Sequence, residues 1–267
     1  MLEYRTLDPL RVRIETHLRH SDHDDDVDAA VLAAVGHTAT DAVLDVGCGT
    51  GAFLRRLATS GGPLSAIPSA NPRATVKAAG VDTSPAAVAA LDGLPGVEVR
   101  LGDAAALPWP DGTFDVVTAR HMLYHVGEPV EAIREARRVL RPGGRFAAVV
   151  NIRDAYPRIH GLIRDAVAAH GFDPGVYTVP VHGDNLPGLV AAVFGETRVE
   201  RHDNALVFHE PAPLVAYAVS MLTGFGVSDD DPARPAVVAR IAAEAARWFD
   251  GGGTVRDPKG YVIVTGW

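Results

Sequence analysis

The chain has 267 residues, 47% of them hydrophobic, which is enough for one large α/β domain with a covered core and cramped for two independent domains. Its formal charge of -8, from 33 acidic against 25 basic residues, opposes a phosphate backbone and makes nucleic acid a poor partner; no apolar run has membrane-spanning length. The single cysteine, Cys48, rules out an intramolecular disulfide framework and a Cys-rich zinc site. A reducing, cytoplasmic setting is expected. The opening MLEYRTLDPLRVRIETHLRH interleaves charge with apolar residues and does not read as a signal peptide.

Residues 1–40 read as a helical cover. Leu10, Ile14 and Leu18, then Val27, Val31 and Val35, recur at helical spacing on either side of the acidic run SDHDDD. His20, His23, Asp22 and Asp24 to Asp26 are metal-ligand types, but a run placed just before a helix is expected to cap free N–H groups and favour the dipole, and no metal is expected. From 41 to 151 short β-branched runs alternate with Ala- and Leu-rich helical stretches, the pattern of a parallel sheet with crossover helices. Strands are predicted at Ala42–Val46, Ala78–Asp82, Val97–Leu101, Phe114–Ala119 and Arg145–Asn151, with helices near 51–59, 84–92 and 128–140. Residues 59–77, rich in Gly, Ser and Pro, read as a surface insertion in the first helix-to-strand connection. Arg134, Arg137, Arg138 and Arg141 lie along the third of these helices and read as a solvated face. Residues 152–190 mix aromatics, histidines, prolines and glycines as a cap or substrate segment does. Residues 191–267 are expected to complete the sheet, with TRVERHDNALVF as a strand, LVAYAVSMLTGF and PAVVARIAAEAARWF as helices and GYVIVTGW as the last strand.

The chemistry concentrates in VLDVGCGTG, residues 43–51, where a strand ends in Gly47, Gly49 and Gly51 and a helix follows at once. Glycines permit a tight turn there and let a ligand approach the backbone without meeting a Cβ; Cys48 is the spacer between two of them rather than a nucleophile. Gly47, Gly49 and Ala52 also satisfy the looser dinucleotide fingerprint, so an NAD(P)-dependent oxidoreductase stands as an alternative. Asp45 argues the other way, because a carboxylate at the strand end repels a pyrophosphate and welcomes a cationic ligand. The second strand ends in Asp82 within GVDTSP, where a carboxylate can accept both hydroxyls of a ribose, and Asp82, Thr83 and Ser84 ahead of Pro85 also make a good helix start. After the third strand, Asp103 is placed to accept a hydrogen bond from an exocyclic amine, and Ala104 leaves room for a flat base. Three carboxylates at successive strand ends fit a ligand lying outside the carboxyl edge of the sheet.

Together these segments resemble the class I S-adenosylmethionine-dependent methyltransferases of the small-molecule and quinone or sterol type. VLDVGCGTG resembles their first motif, GVDTSP their second acidic position, GDAAALPWPDGTFDVVTARHMLYHV their adenine loop and fourth strand, and EARRVLRPGGRFAAVVN their helix, turn and fifth strand, near-continuously from 43 to 151. The resemblance implies an α/β, Rossmann-like fold: a seven-stranded, mostly parallel sheet with helices on both faces, the last strand antiparallel, and a helical cap. It implies S-adenosylmethionine as cofactor, with Asp45, Gly47, Cys48, Gly49 and Gly51 at its methionine and ribose portion. Asp82 and Thr83 would serve the ribose, Asp103 and Ala104 the adenine, and the backbone of Arg120 would lie beside the methionyl group.

A sulfonium methyl is already an activated electrophile, so the protein must place a nucleophile in line, exclude water and, for a weak nucleophile, remove a proton. His121, His125 and Tyr124 are candidate bases because ARHMLYHV leaves the fourth strand at the carboxyl edge. Tyr4, Tyr156 and His160 are candidate substrate contacts. The expected substrate is a small organic metabolite methylated on oxygen, nitrogen or carbon by a monomer or homodimer. High Ala, Arg, Gly and Pro usage points to a GC-rich bacterial genome and secondary metabolism. A further alternative is a cofactor-binding homologue that catalyses another reaction, such as a cyclisation.

Overall fold

Seven strands account for the apolar alternation: β1 (Val43–Val46), β2 (Ala78–Asp82), β3 (Val97–Leu101), β4 (Phe114–Arg120), β5 (Leu140–Asn151), β6 (Thr197–Phe208) and β7 (Val255–Gly266). They belong to a computed structural model that describes residues 8–59, 78–175, 177 and 179–267. The strands form one sheet in the order β3-β2-β1-β4-β5-β7-β6. β1 to β5 pair in parallel, and β7 runs antiparallel between β5 and β6, as the sequence reading expects. β2 and β3 lie on one side of β1 and β4 on the other, so the order reverses at β1 and leaves a crevice at the carboxyl ends of β1 and β4.

Nine described helices surround the sheet: α1 (Asp8–His20), α2 (Val27–Ala34), α3 (Ala52–Thr59), α4 (Pro85–Ala89), α5 (Pro129–Val139), α6 (Pro157–Ala168), α7 (Leu186–Phe194), α8 (Pro211–Val219) and α9 (Arg234–Trp248). One sheet face packs Val43, Val116, Val149 and Ile263 against Val31 of α2 and Phe53 and Leu54 of α3. The other packs Leu44, Val117, Phe146 and Val264 against Ile133 of α5 and Val190 of α7. A third apolar cluster joins α6, α8 and α9 to Leu206, Phe208 and Val255 near one end of β6 and β7. β1 is buried at every position, so its VLDV has no wet face and its one carboxylate needs partners inside the protein.

Three segments depart from the sequence reading. β7 begins at Val255, five residues before Gly260, because its extra buried positions are Asp257 and Lys259, charges that hide the alternation. α1 does not bury the stripe of Leu10, Ile14 and Leu18: Leu18 is 78% exposed, and Thr16 is the residue turned inward. This helix lays His17 against Tyr156 and Tyr217 and stacks His20 on Phe208. The helix expected over LVAYAVSMLTGF stops at Val219 and gives way to a 3-10 turn, Leu222–Phe225.

Charged side chains on the sheet finish several helices. Arg145 of β5 donates to the carbonyls of Val35 and Gly36 (both 2.8 Å) just beyond α2, where a cation also favours the dipole. Asp257 of β7 accepts from the N–H groups of Ile159 (2.8 Å) and Arg158 (3.2 Å) in the first turn of α6, whose N-cap residue Tyr156 makes no side-chain cap bond. Asp257 thus caps a helix from a neighbouring strand. Asp257→Ala is expected to lower unfolding stability by about 1–3 kcal/mol, since it strips two N–H groups of their acceptor; urea unfolding with an unchanged m-value measures it.

Candidate active site

The turn after β1 is held by its own amides. Gly47 and Cys48 both donate to Val81 O (2.8 and 3.1 Å), Gly49 donates to Asp82 Oδ2 (2.9 Å), and Gly51 donates to Cys48 O (2.9 Å). Gly47 and Gly49 have φ of 69° and 54°, a region that glycine enters without strain. A Cβ on Gly47 would lie 2.7 Å from Met122 Cβ, and one on Gly49 would lie 3.3 Å from Leu10 Cδ2. Met122 and Leu10 therefore close over the turn, and the glycine motif gives no sign of either.

Two members of the motif have other work. A Cβ on Gly51 would stand 2.0 Å from Leu91 Cδ2, so the packing of α3 against the segment before β3 by itself requires a glycine here. The Cys48 thiol is buried, lies 3.0 Å from where a Gly80 Cβ would stand, and has its pKa pushed up by burial, so only its backbone faces the turn.

Asp45 does not offer its charge to a ligand as the sequence reading expects. It is wholly buried, and its carboxylate accepts from Thr118 Oγ1 (2.7 Å) and from Arg120 Nε and Nη2 (3.2 and 2.8 Å). Arg120 also donates to Asp28 Oδ1 of α2 (2.6 Å) and lies over the Phe53 ring at 4.0 Å. The Arg120 side chain is thus committed inward, and the pair is closed to an incoming cation. Its geometry is structural: it joins β1, β4, α2 and α3.

The second and third acids do stand at the rim. Asp82 Oδ1 accepts from Ser84 N (2.9 Å) while Oδ2 holds Gly49 N, so each oxygen keeps lone-pair capacity. Its backbone carbonyl accepts from Gly102 N (3.0 Å), which places Asp103 beside it. Asp103 is exposed and accepts from Ala105 N (2.8 Å) through Oδ1; Ala104 is buried and Thr83 is exposed. The loop that carries Asp103 is fixed from α5, where Glu135 accepts from Leu107 N (2.8 Å) and Arg138 donates to the carbonyls of Leu107 (3.0 Å) and Trp109 (2.9 Å). Arg138 is therefore a loop anchor and not part of a solvated face.

Beyond β4 the structure brings the candidate bases and substrate contacts close to residues that the motifs do not reveal. His121 leaves the strand at φ 51°, with its ring edge-on to Tyr261 at 6.4 Å, and His125 packs against Tyr124 at 4.5 Å. Burial pushes both histidines down to about 4, so both are neutral near pH 7 and weak proton acceptors. Tyr156 and His160 meet edge-on at 5.8 Å, and His17 of α1 sits 3.4 Å from the hydroxyls of both Tyr156 and Tyr217. Tyr4 and residues 60–77 lie outside the described residues.

Residues 44–148 match the family described as "Methyltransferase domain". The matched segment runs from β1 into β5 and includes the glycine turn, Asp82 and Asp103. Its 27-O-demethylrifamycin SV methyltransferase relative from Amycolatopsis mediterranei is 38% identical over 109 residues, 41% of this chain and 38% of that protein. Methyltransferase GfsG of Streptomyces halstedii is 36% identical over 158 residues, 55% of this chain and 50% of that one. The matches span at most about half the length of these relatives. The [4+2]-cyclase SpnF aligns in structure with a TM-score of 0.55 at 21% identity, over 97% of this chain and 92% of that one, a likeness of fold.

The residues around this core that sequence reasoning missed lie on or against the acidic run before α2. The acidic run before α2 does cap: Asp26 accepts from Ala29 N (2.9 Å). It also pins the N-terminal cover to the sheet. Asp25 accepts from the Tyr261 hydroxyl (2.8 Å) and stands 3.6 Å from Lys259 Nζ, Asp26 pairs with Arg56 (2.7 Å), and Asp22 pairs with Arg256 (2.8 Å). Among the described residues no group of three or more His, Cys, Asp or Glu is arranged to hold a metal ion, and no helix is long and apolar enough to cross a membrane.

Gly51→Ala is expected to cost about 1–3 kcal/mol of stability, as overpacking does, because both Leu91 and a positive φ oppose the methyl; urea unfolding reads this loss. Stability is also expected to depend on pH through the buried histidines. His17, His121 and His125 stand at about 3, 4 and 4 against an ordinary 6.5, so between those values the unfolded chain binds more protons than the folded one. Their contribution is then present above pH 6.5 and is lost as pH falls toward 4. Unfolding measured across this window in wild type and His121→Asn should show a shallower slope in the variant.

Proposed function

We propose that this chain transfers a methyl group from S-adenosylmethionine to an oxygen, nitrogen or carbon of a small organic metabolite. The reading is carried by the saturation of the glycine turn, whose amides at Gly47, Cys48, Gly49 and Gly51 all have acceptors within the protein. A dinucleotide site needs such amides to face a pyrophosphate. Here the Gly49 amide is spent on the carboxylate of Asp82, which sets a negative charge where a pyrophosphate would approach. A nucleoside that bears a positive sulfonium meets no such repulsion.

The rim residues suit that cofactor. The remaining lone pairs of Asp82 would take the ribose hydroxyls, and Asp103 with Ala104 the adenine. Met122 and Leu10, already over the turn, would keep water from the methionine end. When bound, the cofactor supplies a methyl group that needs no further activation, which leaves the protein to position the acceptor and manage its proton. The relatives named for rifamycin and GfsG support a bacterial secondary metabolite as acceptor. A second reading, cofactor retention with a different reaction, draws its support from the fold likeness to a [4+2]-cyclase over nearly the whole of both chains.

Calorimetry is expected to show S-adenosylhomocysteine binding and no binding of NAD, with Asp82→Ala weakening the former about tenfold or more, or about 1.4 kcal/mol. Binding of NAD without S-adenosylhomocysteine would overturn the assignment. Incubation with a methyl-labelled donor and bacterial extracts separates the two cofactor-binding readings, since methyl transfer requires a labelled small product.

A further inference from the structure

α1 connects the glycine turn to a buried polar cluster. Leu10 touches Gly49, and His17 follows seven residues later on the same face of the helix, about 10 Å along its axis. His17 has acid–base side chains on both ring nitrogens. Nδ1 lies 3.1 Å from Lys259 Nζ, and Nε2 lies 3.4 Å from the hydroxyls of Tyr156 and Tyr217. Lys259 is only 6% exposed; it donates to Ser21 Oγ (2.7 Å) and stands 3.6 Å from Asp25. Tyr156 and Tyr217 are buried as well. Six side chains thus connect the aromatic cluster of α6 and α8 to the acidic run before α2.

We propose that Tyr156, His17 and Lys259 form a proton relay that takes up the proton of an acidic hydroxyl, a phenol or an enol, on the methyl acceptor. The inference rests on the methyl-transfer reading and names the acceptor class for that same site. In the resting relay Lys259 is a neutral amine that accepts from His17 Nδ1–H, and His17 Nε2 accepts from Tyr156. As the acceptor oxygen loses its proton to the Tyr156 oxygen, the tyrosine proton passes to Nε2 and the Nδ1 proton passes to Nζ. The relay then holds an ammonium beside Asp25 and Ser21, and His17 and Tyr156 are neutral again. The acceptor oxygen would keep the electron pair of its broken O–H bond and use it to bond the methyl carbon, whose bond to the sulfonium would break with its pair left on sulfur as a neutral thioether.

The surroundings select this acceptor. Around His17 stand Arg13 on α1, His121 at the end of β4 and Lys259 on β7; Tyr156 and Tyr217 face it from α6 and α8, Asp25 stands beside Lys259, and Asp257 lies within electrostatic reach of Tyr217. A developing oxyanion on the acceptor is favoured by Arg13 and by the ammonium that Lys259 becomes as the relay fills. Burial pushes the Lys259 pKa down against the pull of Asp25. The neighbouring rings are flat walls: Tyr177 stacks on Phe225 at 4.4 Å, and His160 meets both. His160 Nε2 is buried with no hydrogen-bond partner among the described residues, so it is available to a second polar group of a planar acceptor.

The probe is 4-nitrophenol, whose anion and neutral form absorb differently. Added to the chain with S-adenosylhomocysteine bound, below the phenol's own pKa, it is expected to bind saturably and show the phenolate band. His17→Gln, Lys259→Met and Tyr156→Phe should each reduce that band about tenfold or more while S-adenosylhomocysteine affinity holds. Tyr156→Phe removes one oxygen and no packing volume, and melting curves of all three report folding. With labelled donor and 4-nitrophenol, the rates of the variants should climb with pH as hydroxide replaces the relay, while the wild type stays level. Binding of the phenol only in its neutral form, no binding at all, or equal ionisation by the variants overturns the relay and leaves the methyl-transfer reading intact. Failure of S-adenosylhomocysteine itself to bind overturns both.

Discussion

A carboxylate without access to water has to be matched by charge and hydrogen bonds inside the protein, and Asp45 at the centre of the sheet sets that requirement. Arg120 and Thr118 meet it from the adjacent strand, in register with β1. Arg120 in turn reaches Asp28 on α2 and the Phe53 ring on α3. One ion pair therefore fixes the two strands that flank the crevice and the two helices that cover that face. Removing one partner would strand the other in the interior, a loss of about 3–5 kcal/mol for buried pairs in general. The crevice can be shaped reproducibly because this pair tolerates little slack.

The same logic extends to the N-terminal cover. α1 buries little apolar surface and leaves Leu18 exposed, so hydrophobic burial alone is a weak hold on it. Directed contacts do more: Asp25 meets Tyr261 and Lys259, Asp28 meets Arg120, and Asn204 donates to His23 O (3.1 Å) and Asp25 (3.2 Å). The outer pairs, Asp22 with Arg256 and Asp26 with Arg56, are exposed and contribute little on their own. A cover held at its inner end by buried polar contacts and lying over Gly49 through Leu10 is well suited to admit and then seal a ligand.

How much of this was legible follows from how each residue announces itself. The parallel strands, the glycine turn and the strand-end places of Asp82 and Asp103 were readable because apolar runs, glycines and strand-end acids leave local signatures. Gly51 and Asp45 were placed in the right loop and strand without their protein partners, since only packing shows that Leu91 faces the first and Arg120 the second. Lys259 and Asp257 were invisible: a charge at an inward strand position breaks the alternation from which strands are inferred, and β7 was read as starting at Gly260. His17 was hidden for the related reason that α1 turns a polar side inward. Where buried polar residues carry the architecture, a hydrophobic pattern points to the wrong face.

These misreadings fall mainly on one side of the site, and that asymmetry is informative. The rim toward β2 and β3 is acidic and made of local motifs, whereas the region beyond β4 is built from α1, α6, α8 and β7, segments far apart in sequence. A rim of motifs suits a ligand common to many proteins. A chamber assembled from distant segments can be altered one segment at a time while the rim stays fixed, and in an acidic chain this chamber gathers Arg13, His17, His121 and Lys259. Burial holds both histidines neutral, so the standing positive charge is that of Arg13, joined by Lys259 when that amine takes up a proton. A proton gained in such a place is stabilised by a negative charge that arises at the same moment, which fits an acceptor that becomes anionic as it reacts.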